Sequence, residues 1–398
     1  MRMNLARTLC LALVASVMLA GCQHLSFVHI YDPFAGLGTN DESLDVLIIH
    51  GMGQAMEGKD QTTSDYSREL RRKLAPQLGF AESPFEETPF AIEEGGVRVG
   101  TVLRARHKRP SGKSELAFYE LSWAEAVKPM KIALLELDGA PRYREEKNPL
   151  ERQRARLNSK AKSFLNTHLA DPVIYAGKFG EVLRRDVEQA ICVMTRLNPV
   201  AGARCDFAEK EKPPVKVAVI SSSLGSAIAF DALSELESQG GARRTAARNV
   251  ASATTHVFMF ANQLPLMEMA NVGAPDAANW LDQYPCPPKK LAPAAAAAPA
   301  RGIGGFLGVR RAVSEMLRTQ GLTPPPLYVV AFSDPNDLLT YFITKRFKDH
   351  CADATFANVA VTNAHWLWFS AFANPVPAHI GYRSNDEVLR MIVEGGMP

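Results

Sequence analysis

An α/β fold is predicted, with a mostly parallel central sheet covered on both faces by helices. Three observations lead to it. Short β-branched or apolar runs recur along the chain, at residues 46–49, 215–220, 256–260 and 327–332. Helical stretches separate them, the alternation that builds parallel sheets from crossover units. The first run, VLII, is apolar throughout, as a strand buried on both faces must be. Size and composition agree. The 398 residues suffice for one large domain or two ordinary ones. A hydrophobic share of 46% against 22% charged residues provides for a proper core. A net charge of +3 without a long basic block gives no reason to expect a nucleic-acid partner.

The N-terminus reads as a targeting segment. Arg2 and Arg7 precede an apolar run of about 13 residues, too short to span a bilayer. It ends in Leu19-Ala20-Gly21-Cys22, which resembles the bacterial lipoprotein signal. That resemblance implies a signal peptide at 1–21, a lipidated Cys22, a tether at 22–43 and attachment to a membrane in the cell envelope. Gln23, where an Asp tends to retain such proteins in the inner membrane, favours the outer membrane. Losing Arg2 and Arg7 with the signal leaves a charge of about +1. Of six cysteines, Cys192, Cys205, Cys286 and Cys351 remain to form disulfides, and an exported chain can oxidise them. Three pairings exist, and the sequence does not choose among them. No CxxC or HxxxH spacing occurs, so neither a metal nor another cofactor is expected.

The other elements follow in order. Residues 64–78 read as a helix with interleaved apolar and basic positions. Residues 96–107 and 114–123 read as two strands joined by the turn KRPSGK. From 124 to 198 the chain looks helical and charged, and the basic stretch ERQRARLNSKAK reads as a solvated helix face. Asp171-Pro172 has the form of a helix start, Asp capping and Pro in the first turn of a helix that runs on to residue 194. An Ala/Pro/Gly-rich loop is expected within 286–325. A weak strand at 358–362 and an amphipathic helix at 386–394 close the chain.

The chemistry centres on VKVAVISSSLGSAIAF, residues 215–230, with four serines in six positions. It departs by one residue from G-x-S-x-G, since Ser221 stands at the first Gly position. The strand-to-helix turn of that motif needs small groups two before and two after the nucleophile. Ser221 and Gly225 satisfy this when Ser223 is the nucleophile. Upstream, His50-Gly51-Met52-Gly53 follows the first strand, and glycines there let backbone amides turn toward a developing oxyanion. Met52 and Leu224 would supply the two N–H groups. Downstream, two carboxylates follow the run 327–332. Asp337 is the expected acid and Asp334 the alternative, the other one capping a helix that opens at Pro335. Of the late histidines, His350 lies in a charged loop and His365 abuts the bulky WLWF. His379, in a proline-flanked loop, is the expected base.

HGMG, SSSLGS, the Asp-rich turn and AHIGY together resemble the α/β-hydrolase superfamily, particularly its serine esterases and lipases; FMFANQLPLM is similar to segments of that group. The resemblance covers about residues 44–395. It implies a Ser223–Asp337–His379 triad that works by acyl transfer on an ester or lipid substrate. Ser221 in place of Gly is the main departure. About 170 residues separate His50 from Ser223, and the surplus at 124–198 is the candidate cap. An acyltransferase with the same triad and a non-catalytic envelope scaffold are the alternatives. The oligomeric state is not legible.

Overall fold

The computed structural model describes residues 27–39, 42–52, 65–110, 112, 114–135, 155–201, 203–212, 215–270, 301–344, 353–363, 366–367 and 372–398. The signal segment, Cys22, Gly53, Cys286, His350, Cys351 and His365 lie outside the described residues.

In chain order the sheet strands and the helices around them are as follows. The chain begins with β1 (Val28–Ile30), β2 (Phe34–Ala35), β3 (Leu44–Ile49) and α1 (Asp65–Gln77). Next come β4 (Glu86–Glu94), β5 (Val97–Lys108), β6 (Glu115–Ser122) and α2 (Ala124–Leu135). Then α3 (Arg156–Phe164) runs through a π-helical turn, Leu165–Leu169, into α4 (Ala170–Ala176), followed by α5 (Gly180–Thr195). The second half contains β7 (Val217–Ser222), α6 (Leu224–Gln239), α7 (Gly241–Ala253), β8 (Thr254–Phe260) and α8 (Leu264–Met269). It continues with α9 (Gly302–Thr319), β9 (Tyr328–Ser333), β10 (Thr355–Val361), α10 (Pro375–Ile380) and α11 (Asp386–Glu394).

Nine strands form one sheet in the order β1-β10-β9-β8-β7-β3-β6-β5-β4. From β10 to β6 neighbouring strands run parallel. β5 and β4 add an antiparallel meander at one edge, and β1 an antiparallel strand at the other. The chain is thus an α/β protein with a large, mostly parallel sheet flanked by helices, as expected.

Side-chain alternation along the strands divides the core in two. Leu47 and Ile49 of β3 join a cluster with Val187 and Ile191 of α5, Phe230 of α6 and Phe306 of α9. Val46 and Ile48 point the other way, toward Leu70 and Leu74 of α1 and Leu389 and Ile392 of α11. Both faces of β3 are therefore dry, which is why its sequence is continuously apolar.

Several expectations are corrected. Residues 28–30, expected within the tether, form β1 and pair with β10. The expected helix from Asp171 to 194 is two helices broken at Gly177, which is extended at φ −83°, ψ −173°. Asp171 does not cap it; the carboxylate is buried and pairs with Lys131 at 2.5 Å. The candidate cap 124–198 shrinks, because α5 packs against the sheet as part of the main core. Part of the surplus between His50 and Ser223 is instead the meander of β4, β5 and β6. The expected loop 286–325 contains the 18-residue helix α9 from Gly302 onward, and residues 286–300 lie outside the described residues. Of the possible disulfides, Cys192–Cys205 is formed, with the Cα atoms 5.9 Å apart.

Candidate active site

Ser223 stands alone between the end of β7 and the start of α6, with φ 53° and ψ −125°. A side chain other than Gly at positive φ is uncommon, and such a backbone costs about 1–3 kcal/mol. A strand that turns this sharply into a helix lifts one side chain above the sheet edge. Three contacts hold the turn. The Ser223 N–H donates to the Phe260 carbonyl at the end of β8, at 2.7 Å. Gly225 lies against the end of β3, where an added Cβ would stand 2.6 Å from the His50 oxygen and 2.7 Å from that of Ile49. Gly51 lies against the turn itself, its added Cβ falling 2.7 Å from Ser223 Cβ. Ser221, the departure from the motif, is buried and its hydroxyl pairs with Ser226 Oγ at 2.8 Å. A side chain is tolerated there because its one polar atom finds a partner within the first turn of α6.

β7, β8 and β9 are parallel neighbours, so Ser223 and the loop after Ser333 leave the same end of the sheet. No helix opens at Pro335; the chain makes two tight turns instead, a correction to the expected cap. The Asp334 carboxylate organises the first turn and ties it to the strand beyond. It accepts from the Asn336 amide at 2.8 Å, from Asn336 Nδ2 at 3.2 Å and from the Asn363 amide at 2.6 Å. Asp337 is the carboxylate that meets His379, Oδ1 accepting from Nδ1 at 2.9 Å. Its other oxygen accepts from the Tyr382 hydroxyl at 3.2 Å. The same hydroxyl accepts the Asp334 N–H at 2.7 Å, so Tyr382 links the two turns. His379 sits in the short helix α10 rather than in a loop, and the Asn374 side chain caps that helix. With Nδ1–H directed at Asp337, Nε2 is the nitrogen left to take a proton. Ser223 Oγ is buried and, among the described residues, makes no hydrogen bond to His379 or to any other group. In ligand-free sites such bonds are often long and tighten only in the complex.

His50 fixes the loop opposite. Its Nε2 accepts the Trp123 N–H at 3.2 Å, so the proton sits on Nδ1, which donates to the Gly51 carbonyl at 2.7 Å. The indole stacks on the imidazole at 4.9 Å and donates to the His50 carbonyl. Burial pushes the imidazole down to about 4, so it is neutral at pH 7 and has no free nitrogen for base chemistry. In a trans peptide the N–H opposes the C=O. Turning the Gly51 carbonyl onto His50 therefore turns the Met52 N–H to the other side. Leu224 begins α6, where helix amides have no partner within the helix and the dipole favours negative charge.

Sequence reasoning missed Tyr382, Trp123 and Gln263. Tyr382 carried a usable signal, since it lies three residues after His379, a helical neighbour's spacing. Gln263, in the ANQLP turn after β8, is buried, and neither atom of its side-chain amide is hydrogen-bonded among the described residues. Two residues before it Ala261 adopts φ 49°, a second strained residue at this end of the sheet. Compared with protein-family models and with curated protein sequences, the chain matches none.

Proposed function

We propose that the protein is a serine hydrolase of α/β-hydrolase type that cleaves carboxylic esters through an acyl-enzyme, tethered to a membrane of the cell envelope through Cys22. The observation that carries the proposal is the strained Ser223 at the strand-to-helix turn, on the sheet end where Asp337 holds His379.

The reaction follows from the bonding. Substrate brings its carbonyl carbon to Ser223 Oγ. His379 Nε2 takes the Oγ proton as the Oγ–C bond forms, and the carbonyl oxygen becomes an oxyanion facing the amides of Met52 and Leu224. Asp337 stabilises the imidazolium without taking its proton. The imidazolium then protonates the departing alkoxide as its C–O bond breaks, leaving an acyl-Ser223. Water, deprotonated by the same Nε2, attacks that ester, and the acid leaves as Oγ regains its proton. Asp334 takes no part; its three hydrogen bonds shape the loop that presents Asp337.

A fluorophosphonate on the full chain tests this. The adduct is expected on Ser223, with labelling lost in Ser223→Ala and turnover of a short ester falling by orders of magnitude. An adduct on Ser221, Ser222 or Ser226, or full turnover in Ser223→Ala, would overturn the assignment. Adding a competing alcohol and identifying the product separates hydrolysis from transfer to an acceptor.

A further inference from the structure

An open groove of about 430 Å³ runs between α2 and the π-helical turn with α4. Its walls are almost wholly aliphatic: Met130, Leu134, Leu135, Leu165, Leu169 and Val173. Leu134 and Val173 are 74% and 73% exposed, so the groove leaves its apolar side chains in water. Exposed apolar surface gathered into a concave site marks a place where something binds.

Two features connect this groove to the reacting groups. First, α2 begins directly after Trp123, the residue that stacks on His50 and donates its backbone N–H to the His50 Nε2. Lys131 of that helix lies under the groove, its Nζ held by Asp171 at 2.5 Å and by the Thr167 carbonyl at 2.8 Å. Its charge reaches both His50 and His168. Second, the π-turn that supplies Leu165 and Leu169 carries His168 between them; burial, and then the charges of Lys131 and His379, push that imidazole down to about 4. A π-turn inside a helical run is uncommon and recurs at functional sites. Leu165 and Leu169 of that turn both line the groove. The buried Lys131–Asp171 pair locks the two helical walls at a fixed separation, and both charges are satisfied, so the groove offers no free ion to a polar ligand.

We infer that this groove receives the acyl chain of the substrate, making the preferred substrate an ester of a medium or long unbranched aliphatic acid. The inference rests on the acyl-transfer reading for the attachment of that chain to Ser223. The dimensions suit it: at about 30 Å³ per water-sized group, the space holds roughly a dozen methylenes.

The test is a chain-length series of p-nitrophenyl esters, from acetyl to dodecanoyl, on the full chain. Each methylene that leaves water should raise kcat/KM about fourfold until the groove is filled. The double variant Leu134→Asp/Val173→Asp, changing exposed positions that the fold does not need, should flatten that series. Binding of a fluorescent fatty acid to Ser223→Ala gives a readout free of turnover, and the two aspartates should weaken it at least tenfold. If short esters are cleaved with a flat series, or the fatty acid binds equally well to the aspartate variant, the groove is not an acyl site and this inference fails alone. A flat series together with a shift of sedimentation in the aspartate variant would assign the groove to a second copy of the chain, and likewise overturns it. If Ser223 takes no fluorophosphonate and no ester is cleaved, it is the acyl-transfer reading that fails.

Discussion

Gly51→Ala isolates the contact between the nucleophile turn and the loop that faces it. Gly51 is not in the left-handed region, so alanine is free to adopt its backbone, and the effect is steric alone. The added methyl would lie 2.7 Å from Ser223 Cβ and 2.9 Å from the Ser222 oxygen. Ordinary carbon contacts begin near 3.5 Å, so the two loops must part by about 0.8 Å. Neither yields easily. The Ser223 turn is tied to Phe260, and the Gly51 loop is clamped by His50 and Trp123. Overpacking of this kind costs about 1–3 kcal/mol of stability. Misplacing a reacting group by about 1 Å costs about a hundredfold in rate, equivalent to about 2.7 kcal/mol of barrier. The assay is kcat/KM on a short-chain ester, with the rate of fluorophosphonate labelling of Ser223 and a urea midpoint measured on the same preparation. The expected result is a folded protein with kcat/KM and labelling both down about a hundredfold. Wild-type labelling and turnover would refute the reasoning, since Gly51 would then not abut the nucleophile.

Three further outcomes are expected. Asp337→Asn should lose about four orders of magnitude in kcat while staying folded, because an amide turns the imidazole to the wrong tautomer; Asp334→Asn should keep its rate per folded molecule but lose about 2–3 kcal/mol in urea titration, as its amide meets backbone donors. The opposite pattern would exchange their roles. Tyr382→Phe removes one bond to each turn and should cost about 2–4 kcal/mol of stability and about tenfold in kcat, and an unchanged urea midpoint would count against the bridge. Glu268→Gln should stabilise the protein increasingly as pH rises from 6 to 8. Burial, with Asp231 nearby, raises the Glu268 carboxyl from its ordinary 4.5 to about 9. The folded state thus keeps a proton that the unfolded state releases, and stability falls with pH by up to about 1.4 kcal/mol per unit across that window. A gap between variant and wild type that does not change with pH would sink this.

What the sequence disclosed depended on whether the signal was local. The parallel strands were legible because both faces are buried and the residues are apolar without interruption, as in VLII of β3. β4 was not. Its stretch EETPFAIEE has carboxylates at both ends and a proline, which a strand tolerates at the sheet edge that β4 occupies. Glu86 there pairs with Arg104 and Arg106 of β5, so its charges are part of the sheet rather than of a loop. α9 was hidden by Gly302, Gly304, Gly305 and Gly308, which weaken helix propensity. Three of them, Gly302, Gly304 and Gly305, are buried, and Phe306 stacks on Phe230 of α6 at 5.3 Å. Packing against a neighbouring helix outweighs propensity there.

The proposed triad shows the same division between near and far. The pattern that marks Ser223 is local, the small side chains at Ser221 and Gly225 and the pairing of Ser221 with Ser226, although Phe260 and Gly51 also hold the turn. Its assignment could be read from a dozen letters. The choice between Asp334 and Asp337 could not, because three residues apart in one loop they have nearly the same local grammar. Each accepts an amide two positions ahead, Asn336 for the first and Leu339 for the second. What separates them arrives from far along the chain. Asn363, 29 residues on, takes Asp334, and His379, 42 residues beyond Asp337, takes the other. Those partners are delivered by β10 and α10, whose placement depends on the whole sheet. What pairs Asp337 with His379 is not the first turn of a helix, since none begins there. The physical reason is Tyr382: its hydroxyl can accept only where an N–H points and donate only where a carboxylate waits. Bonded to the Asp334 amide, it leaves Asp337 as the acceptor within reach of His379.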